Sequence, residues 1–301
     1  MKKKNNKFII FAILAAALYA INIPFSKLLL TKISGTMMAA LLYLGAGIGM
    51  FIVGFLSKKH SFFNRNQYPT RQQLKYVIGM IIFDIAAPIC LMFGLKYSLV
   101  ANAALLNNFE IVATSIIALL LFKETISKRL WMAITLITLS GIILSFKDMN
   151  NLTFSTGSLL IIVACICWGF ENNCTHMLSD KNPLIIVIIK GIASGTGSML
   201  VSFLIIDFKV EFLYVIAAAI LGFLSYGMSI YFYVYAQRKL GATKTSAFYA
   251  VSPFIGTILS LIIFKEIPTL NFFVAVLIMG VGTYFVIHDK PNKKNNIKLN
   301  L

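Results

Sequence analysis

Apolar runs of membrane-spanning length recur from one end of this 301-residue chain to the other, separated only by short polar turns. Crossing the hydrocarbon core takes about 20 apolar residues, and a segment surrounded by lipid must satisfy its backbone internally, as a helix does. The runs predict ten spans: 8–30, 36–56, 75–95, 99–122, 130–146, 157–178, 184–206, 212–237, 243–264 and 270–287. With 59% of residues hydrophobic and 12% charged, nothing is left over for a soluble domain. The expected fold is an all-α membrane protein, a bundle of ten transmembrane helices.

A net charge of +17 would point to nucleic acid in a soluble protein, but its placement makes it a topology signal. Basic residues gather in both tails and in alternate loops, at Lys2 to Lys7, Lys58 to Lys75, Lys123 to Arg129, Lys181, Arg238 to Lys244 and Lys290 to Lys298. The intervening loops hold only Lys27, Lys32, Lys96, Lys147, Lys209 and Lys265. The positive-inside rule then puts both termini in the cytoplasm, as expected of a multi-pass protein of the bacterial cytoplasmic (inner) membrane. The opening MKKKNNKFIIFAILAAALYA has the form of a secretory signal, with small-residue sites at Ala15, Ala17 and Ala20. Its retention is expected, because it has a counterpart later in the chain. Cys90, Cys165, Cys167 and Cys174 all fall within spans and lack metal-ligand spacing, so no metal or other cofactor is expected. His60 and His288 lie in a loop and a tail, and His176 at a span end.

One half of the chain lies over the other. At an offset of 142, Leu121 to Glu124 matches Ile263 to Glu266, and the ungapped alignment pairs Glu110 with Ser252 and Asp84 with Tyr226. At an offset of 149, Tyr19, Asn22 and Ser26 match Trp168, Glu171 and Thr175. Gly45 and Gly49 in the second span and Gly191 and Gly195 in the seventh are each spaced for close helix approach. Five spans per repeat is an odd number, so the halves, residues 1–148 and 149–301 with a basic tail from 288, must enter the membrane from opposite faces. Inverted repeats of this kind suit alternating access around a central cavity.

The ten spans, the Tyr19-Ala20-x-Asn22 and Trp168-Gly169-x-Glu171 signatures, Lys27 and the Phe-Lys-Glu endings at Glu124 and Glu266 resemble the EamA family of the drug/metabolite transporter superfamily. The resemblance covers residues 8 to 287. It implies ten helices around a central cavity, with export of amino acids or related metabolites as the commonest role of bacterial members. The intramembrane charges are not part of that family pattern and have to be read on their own.

Carboxylates in hydrocarbon are functional candidates by default, and Asp84 and Glu110 sit near the middle of the third and fourth spans. At 1.5 Å per residue they lie about 14 and about 18 Å from the same end of the bundle. Asn107, Glu110 and Thr114 follow i, i+3, i+7 spacing and share one helical face. Two carboxyl groups at one depth in a dry site do not both ionise readily, so this pair is expected to handle the proton and an amine. The alternative is that each is protonated and hydrogen-bonded to a neighbouring helix. Glu171 and Lys190 have depths that allow a buried ion pair, or a role at the substrate. Pro88 and Pro253 free the carbonyls of Asp84 and Tyr249 and are expected to bend their helices.

Tyr19, Asn22, Asn107, Trp168, Glu171, Asn172, Tyr226, Tyr233 and Tyr249 are the expected cavity wall. Aromatic rings beside carboxylates suit an amine through cation–π attraction, although packing between helices accounts for any single ring equally well. Glu124 and Glu266 are expected to stabilise the starts of the fifth and tenth helices, where Ser127 and Pro268 are start signals; gating is the alternative.

The sequence therefore reads as a proton-coupled secondary transporter exporting small amino-group metabolites, with uptake of an organic cation or other nutrient as the second reading. The partners implied are a small-molecule substrate, protons and the lipid bilayer, with no nucleic acid, and the pattern is compatible with a monomer. An intramembrane hydrolase finds no HExxH, GxGD or GxSxG here, so no enzyme activity is expected, and a scaffold leaves the midplane carboxylates unexplained.

Overall fold

The computed structural model describes residues 2–56, 67–123, 125–148, 153–178, 180–205, 210–240 and 249–288. The described residues form an all-α membrane bundle. Its first span is α1 (Lys2–Ala20) followed by α2 (Asn22–Leu29), and the second is α3 (Gly35–Leu56). Next come α4 (Leu74–Lys96), the pair α5 (Val100–Leu106) and α6 (Phe109–Phe122), and α7 (Lys128–Ser145). A short antiparallel hairpin, β1 (Phe146–Asp148) and β2 (Thr153–Phe154), leads to α8 (Thr156–His176) and α9 (Pro183–Ile205). The eighth span is α10 (Phe212–Gly222), a π-helical turn over Phe223–Met228, and α11 (Ser229–Leu240). The last helices are α12 (Ser252–Phe264) and α13 (Leu270–Ile287).

Among the described residues, nine helical stretches are long and apolar enough to cross a membrane, and α12 is a shorter apolar helix. Residues 243–248, where the ninth span is expected to begin, lie outside the described residues, as do His60 and Glu124. The periphery of the bundle is covered by exposed apolar side chains such as Phe55, Leu204 and Leu277, as a surface facing acyl chains requires.

Helices interrupt where the sequence removes or diverts a backbone donor. Pro24 has no N–H to give Ala20, and the first span breaks at Ile21. Pro253 likewise leaves Tyr249 O without its bond and stands in the first turn of α12, after the turn at Ala250 and Val251. Pro88 does not divide its span: α4 runs through it. The break at Asn107 and Asn108 was not expected. No proline causes it; two adjacent asparagines, poor helix formers, stand there instead, and Asn107 donates its amide to Tyr19 OH.

Ser127, Ser155 and Thr269 cap α7, α8 and α13 by accepting from the backbone N–H three residues on. Glu266 does not serve the tenth helix as expected. Its two carboxylate oxygens accept from Val100 N at 2.8 Å and Ala101 N at 3.0 Å, so it caps α5 from across the bundle. Lys123 and Lys265, which end α6 and α12, adopt left-handed backbone with φ of 54° and 51°, the positive-φ residues other than glycine among those described.

Close helix approach depends on glycine. A Cβ on Gly191 of α9 would lie 2.5 Å from Gly47 Cα of α3, and one on Gly45 would lie 2.0 Å from Ala219 O of α10. Gly47, rather than Gly45 or Gly49, is thus the partner of Gly191. Gly280 of α13 has nothing within 4 Å of its would-be Cβ. Gly191→Ala is therefore expected to destabilise the protein by about 1–3 kcal/mol through overpacking, whereas Gly280→Ala should leave it unchanged or stabilise it by up to about 1 kcal/mol. Thermal unfolding of the two purified variants in one detergent checks the contrast.

Candidate functional site

The polar residues expected in the interior fall into a few bonded groups on neighbouring helices. Lys190 of α9 stands at the centre of one, with Nζ 2.9 Å from Glu171 Oε1 of α8 and 3.2 Å from Asp84 Oδ2 of α4. Asp84 and Glu171 are buried, at 0% and 2% exposure, so neither charge is screened by solvent. The second oxygen of Asp84 accepts from Tyr43 OH at 2.7 Å, and Tyr43 OH accepts in turn from Trp168 Nε1 at 3.3 Å. Thr175, one turn after Glu171, donates its hydroxyl to Glu171 Oε1. Asp84 Oδ2 has the lysine as an ion-pair partner but no directed hydrogen bond.

Glu110 is held differently. It accepts from Asn172 Nδ2 at 2.7 Å, and the same amide reaches Thr114 Oγ1 at 3.2 Å. The expected partnership of Asp84 with Glu110 gives way to a shared lysine, for two reasons. The helix α4 packs against α8 and α9, which present Glu171 and Lys190, and in low dielectric a cation is a far better neighbour for a carboxylate than a second carboxyl. The two carboxyl sites nevertheless join at α8, whose consecutive residues Glu171 and Asn172 serve one each. Of the alternatives for Glu171 and Lys190, the ion pair is present.

Tyrosines build the adjoining wall. Tyr19 lies with its ring centroid 6.1 Å from Tyr226 and 5.5 Å from Tyr249, Tyr43 lies 5.1 Å from Tyr226, and Tyr233 lies 4.9 Å from Tyr249. Asn22 Nδ2 donates to Tyr226 OH at 2.9 Å and accepts at Oδ1 from Ser26 at 3.1 Å; Asn107 Nδ2 donates to Tyr19 OH at 3.1 Å. Asn107 therefore turns toward the first span while Glu110 and Thr114 turn toward α8, a division that the break after Asn107 permits.

Tyr43 was missed. It sits in a span that is otherwise apolar, at a position with no polar match in the other half, so neither periodicity nor repeat marks it. Its only sequence signal is a hydroxyl at midspan. A separate cavity of about 730 Å³ opens at the end of the bundle near Lys96, Ser98, Asn102, Thr156 and Asn271 and contains none of the expected site residues.

The arrangement carries three carboxyl groups, Asp84, Glu110 and Glu171, against one lysine. Carboxyl groups in excess of cations are chemically able to hold protons or cationic groups, and tyrosine rings are able to attract an ammonium.

Known proteins agree with this architecture. An uncharacterized transporter of Methanothermobacter thermautotrophicus is 24% identical over 295 residues, 91% of this chain and 84% of its own length. The uncharacterized transporter YyaM of Bacillus subtilis is 24% identical over 226 residues, 71% of this chain and 73% of its own. A crystal structure of a protein 13% identical in sequence superposes with a TM-score of 0.65 over 93% of this chain and 95% of that one, a likeness of fold alone. The EamA-like transporter family matches residues 6–146 and 155–288, covering nearly all of the helices described above, and this multi-pass membrane protein belongs to that family.

Proposed function

We propose that this protein is a proton-coupled secondary transporter that exports small amino-group metabolites by alternating access. The observation that carries the reading is the charge count of the interior: Lys190 pairs with Asp84 and Glu171, and a third carboxyl, Glu110, is bonded to the residue that follows Glu171 and has no lysine of its own. An excess of negative charge in low dielectric is not tolerated empty, so the site takes up protons or a cationic cargo. Competition between the two for one carboxyl group is the elementary step of antiport.

Glu110 is the better placed of the two carboxyls expected to share that work. Asp84 and Glu171 already have a cation, whereas Glu110 accepts from the neutral Asn172 and follows, by about one turn, Asn107, which bonds Tyr19. The cargo ammonium then exchanges with a proton at Glu110, between Tyr19, Tyr226 and Tyr249.

Several features support two inverted halves moving about this site. The left-handed residues Lys123 and Lys265 align at the offset of 142, and the breaks at Asn107 and Asn108 and at Ala250 and Val251 overlap there, with Asn108 opposite Ala250. Contacts between α3 and α9 and between α7 and α13 each map onto themselves when the halves are exchanged, and α4 with α8 maps onto α11 with α1. The charge distribution supports cytoplasmic termini in a bacterial cytoplasmic membrane.

Two outcomes are expected. Glu110→Gln keeps shape and hydrogen bonding but removes the titratable proton, so pH-driven transport of an amine in proteoliposomes should fall at least about tenfold, while exchange at equal pH survives. Unchanged pH-driven transport would assign Glu110 a structural role. Reporter fusions after Phe122 and after Phe264 should report opposite faces of the membrane; the same face for both would contradict the inverted arrangement.

A further inference from the structure

Three helix interruptions meet at one level of the bundle. The Cβ that Gly256 of α12 lacks would lie 3.1 Å from Ala20 O, the carbonyl freed by Pro24, and 3.5 Å from Ala104 Cβ of α5. One residue on, Thr257 Oγ1 reaches Ala101 O at 3.5 Å, so α12 and α5 run antiparallel. Following that register by one turn brings Ser252, the first residue of α12, level with Asn107 and Asn108.

Polar atoms there lack partners. Among the described residues at these breaks, Ser252 Oγ, Asn108 Nδ2 and the acceptor Asn107 Oδ1 are buried with no hydrogen-bond partner, and Ser252 and Asn108, the two donors, are only 1% and 2% exposed. Leaving such groups unsatisfied costs about 1–3 kcal/mol each. The aligned position in the other half explains what is missing. Glu110 stands in the first turn of the half-helix α6, where its carboxylate meets the positive end of the helix. Ser252 occupies the matching position in the half-helix α12, which has no acidic residue in its first turn. A half-helix start at midmembrane that lacks its own anion is suited to receive one from a ligand.

We propose that Ser252 and Asn108, at the facing breaks of the ninth and fourth spans, form a carboxylate-binding subsite. The inference rests on the transport reading above and gives the cargo its polarity. The molecule is a zwitterion, an amino acid, whose ammonium lies toward Glu110 and the tyrosines and whose carboxylate takes the hydrogen bonds that Ser252 and Asn108 leave unused. An amine alone would leave both donors bare.

The test uses the purified full-length protein and a panel of proteinogenic L-amino acids, each beside its methyl ester and its decarboxylated amine. Thermal stabilisation gives the affinity of each compound. At least one amino acid is expected to bind at least about tenfold more tightly than its own ester and amine, the size of one hydrogen bond to a charged group. Ser252→Ala should abolish that difference by weakening the amino acid and not the amine. Because the hydroxyl has no partner in the free protein, this variant should melt no lower than the parent, which separates the role from a structural one. Asn108→Leu, close in shape, should act in the same direction. Esters and amines that bind as tightly as the acids, or a Ser252→Ala variant that weakens amine and amino acid equally, would overturn the subsite while leaving amine transport intact. No stabilisation by any compound of the three sets would overturn both.

Discussion

A single ammonium between two buried carboxylates organises the interior of this protein. Lys190 ties α9 to α4 through Asp84 and to α8 through Glu171. Desolvating each of these ions costs several kcal/mol, which only close mutual contact and further hydrogen bonds offset. Those bonds come from Tyr43 and Thr175, so the lysine's position also fixes α3 and the far turn of α8. Because α8 is fixed by Glu171, the neighbouring Asn172 is held where it meets Glu110. Glu110 is thus positioned, through one helix, by an ion pair that it does not join.

Around that rigid cluster the chain is deliberately irregular. The first, fourth and ninth spans are interrupted, and the eighth carries a π-helical turn at Tyr226. Non-helical backbone at membrane depth persists only where protein buries it or a cavity solvates it. Here Gly256 lets α12 close on the freed Ala20 carbonyl, and Asn107 binds Tyr19 across the break. Ser252 Oγ, Asn108 Nδ2 and Asn107 Oδ1 remain unsatisfied at these breaks. The glycine-lined contact of α3 with α9 provides the opposite character, two helices in close contact along a continuous seam.

Much of this was legible in the chain because membrane proteins announce themselves by composition. Apolar runs gave the helices, and polar residues stranded within those runs gave the interior cluster, down to the proximity of Glu171 and Lys190. The partner of Asp84 was not legible, since equal depth does not say which helices are neighbours. Tyr43 escaped for a related reason: a tyrosine in an apolar span reads as packing until a carboxylate is seen beside it. The break at Asn107 followed no proline, and Glu266 looked local because its sequence neighbours include a helix start, whereas its carboxylate reaches a helix some 165 residues away. Local signals predict local structure well, and these exceptions all depend on contacts between distant helices.

The central claim is that Lys190 exists to balance Asp84 and Glu171, and charge-balanced substitution tests it most directly. Thermal unfolding in detergent is measured for Lys190→Met and for the triple variant that adds Asp84→Asn and Glu171→Gln. Removing the cation alone should destabilise the protein by about 3–5 kcal/mol, because two buried carboxyls lose their partner, and neutralising all three should restore most of that loss. A Lys190→Met variant as stable as the parent, or a triple variant no more stable than the single one, would contradict the account.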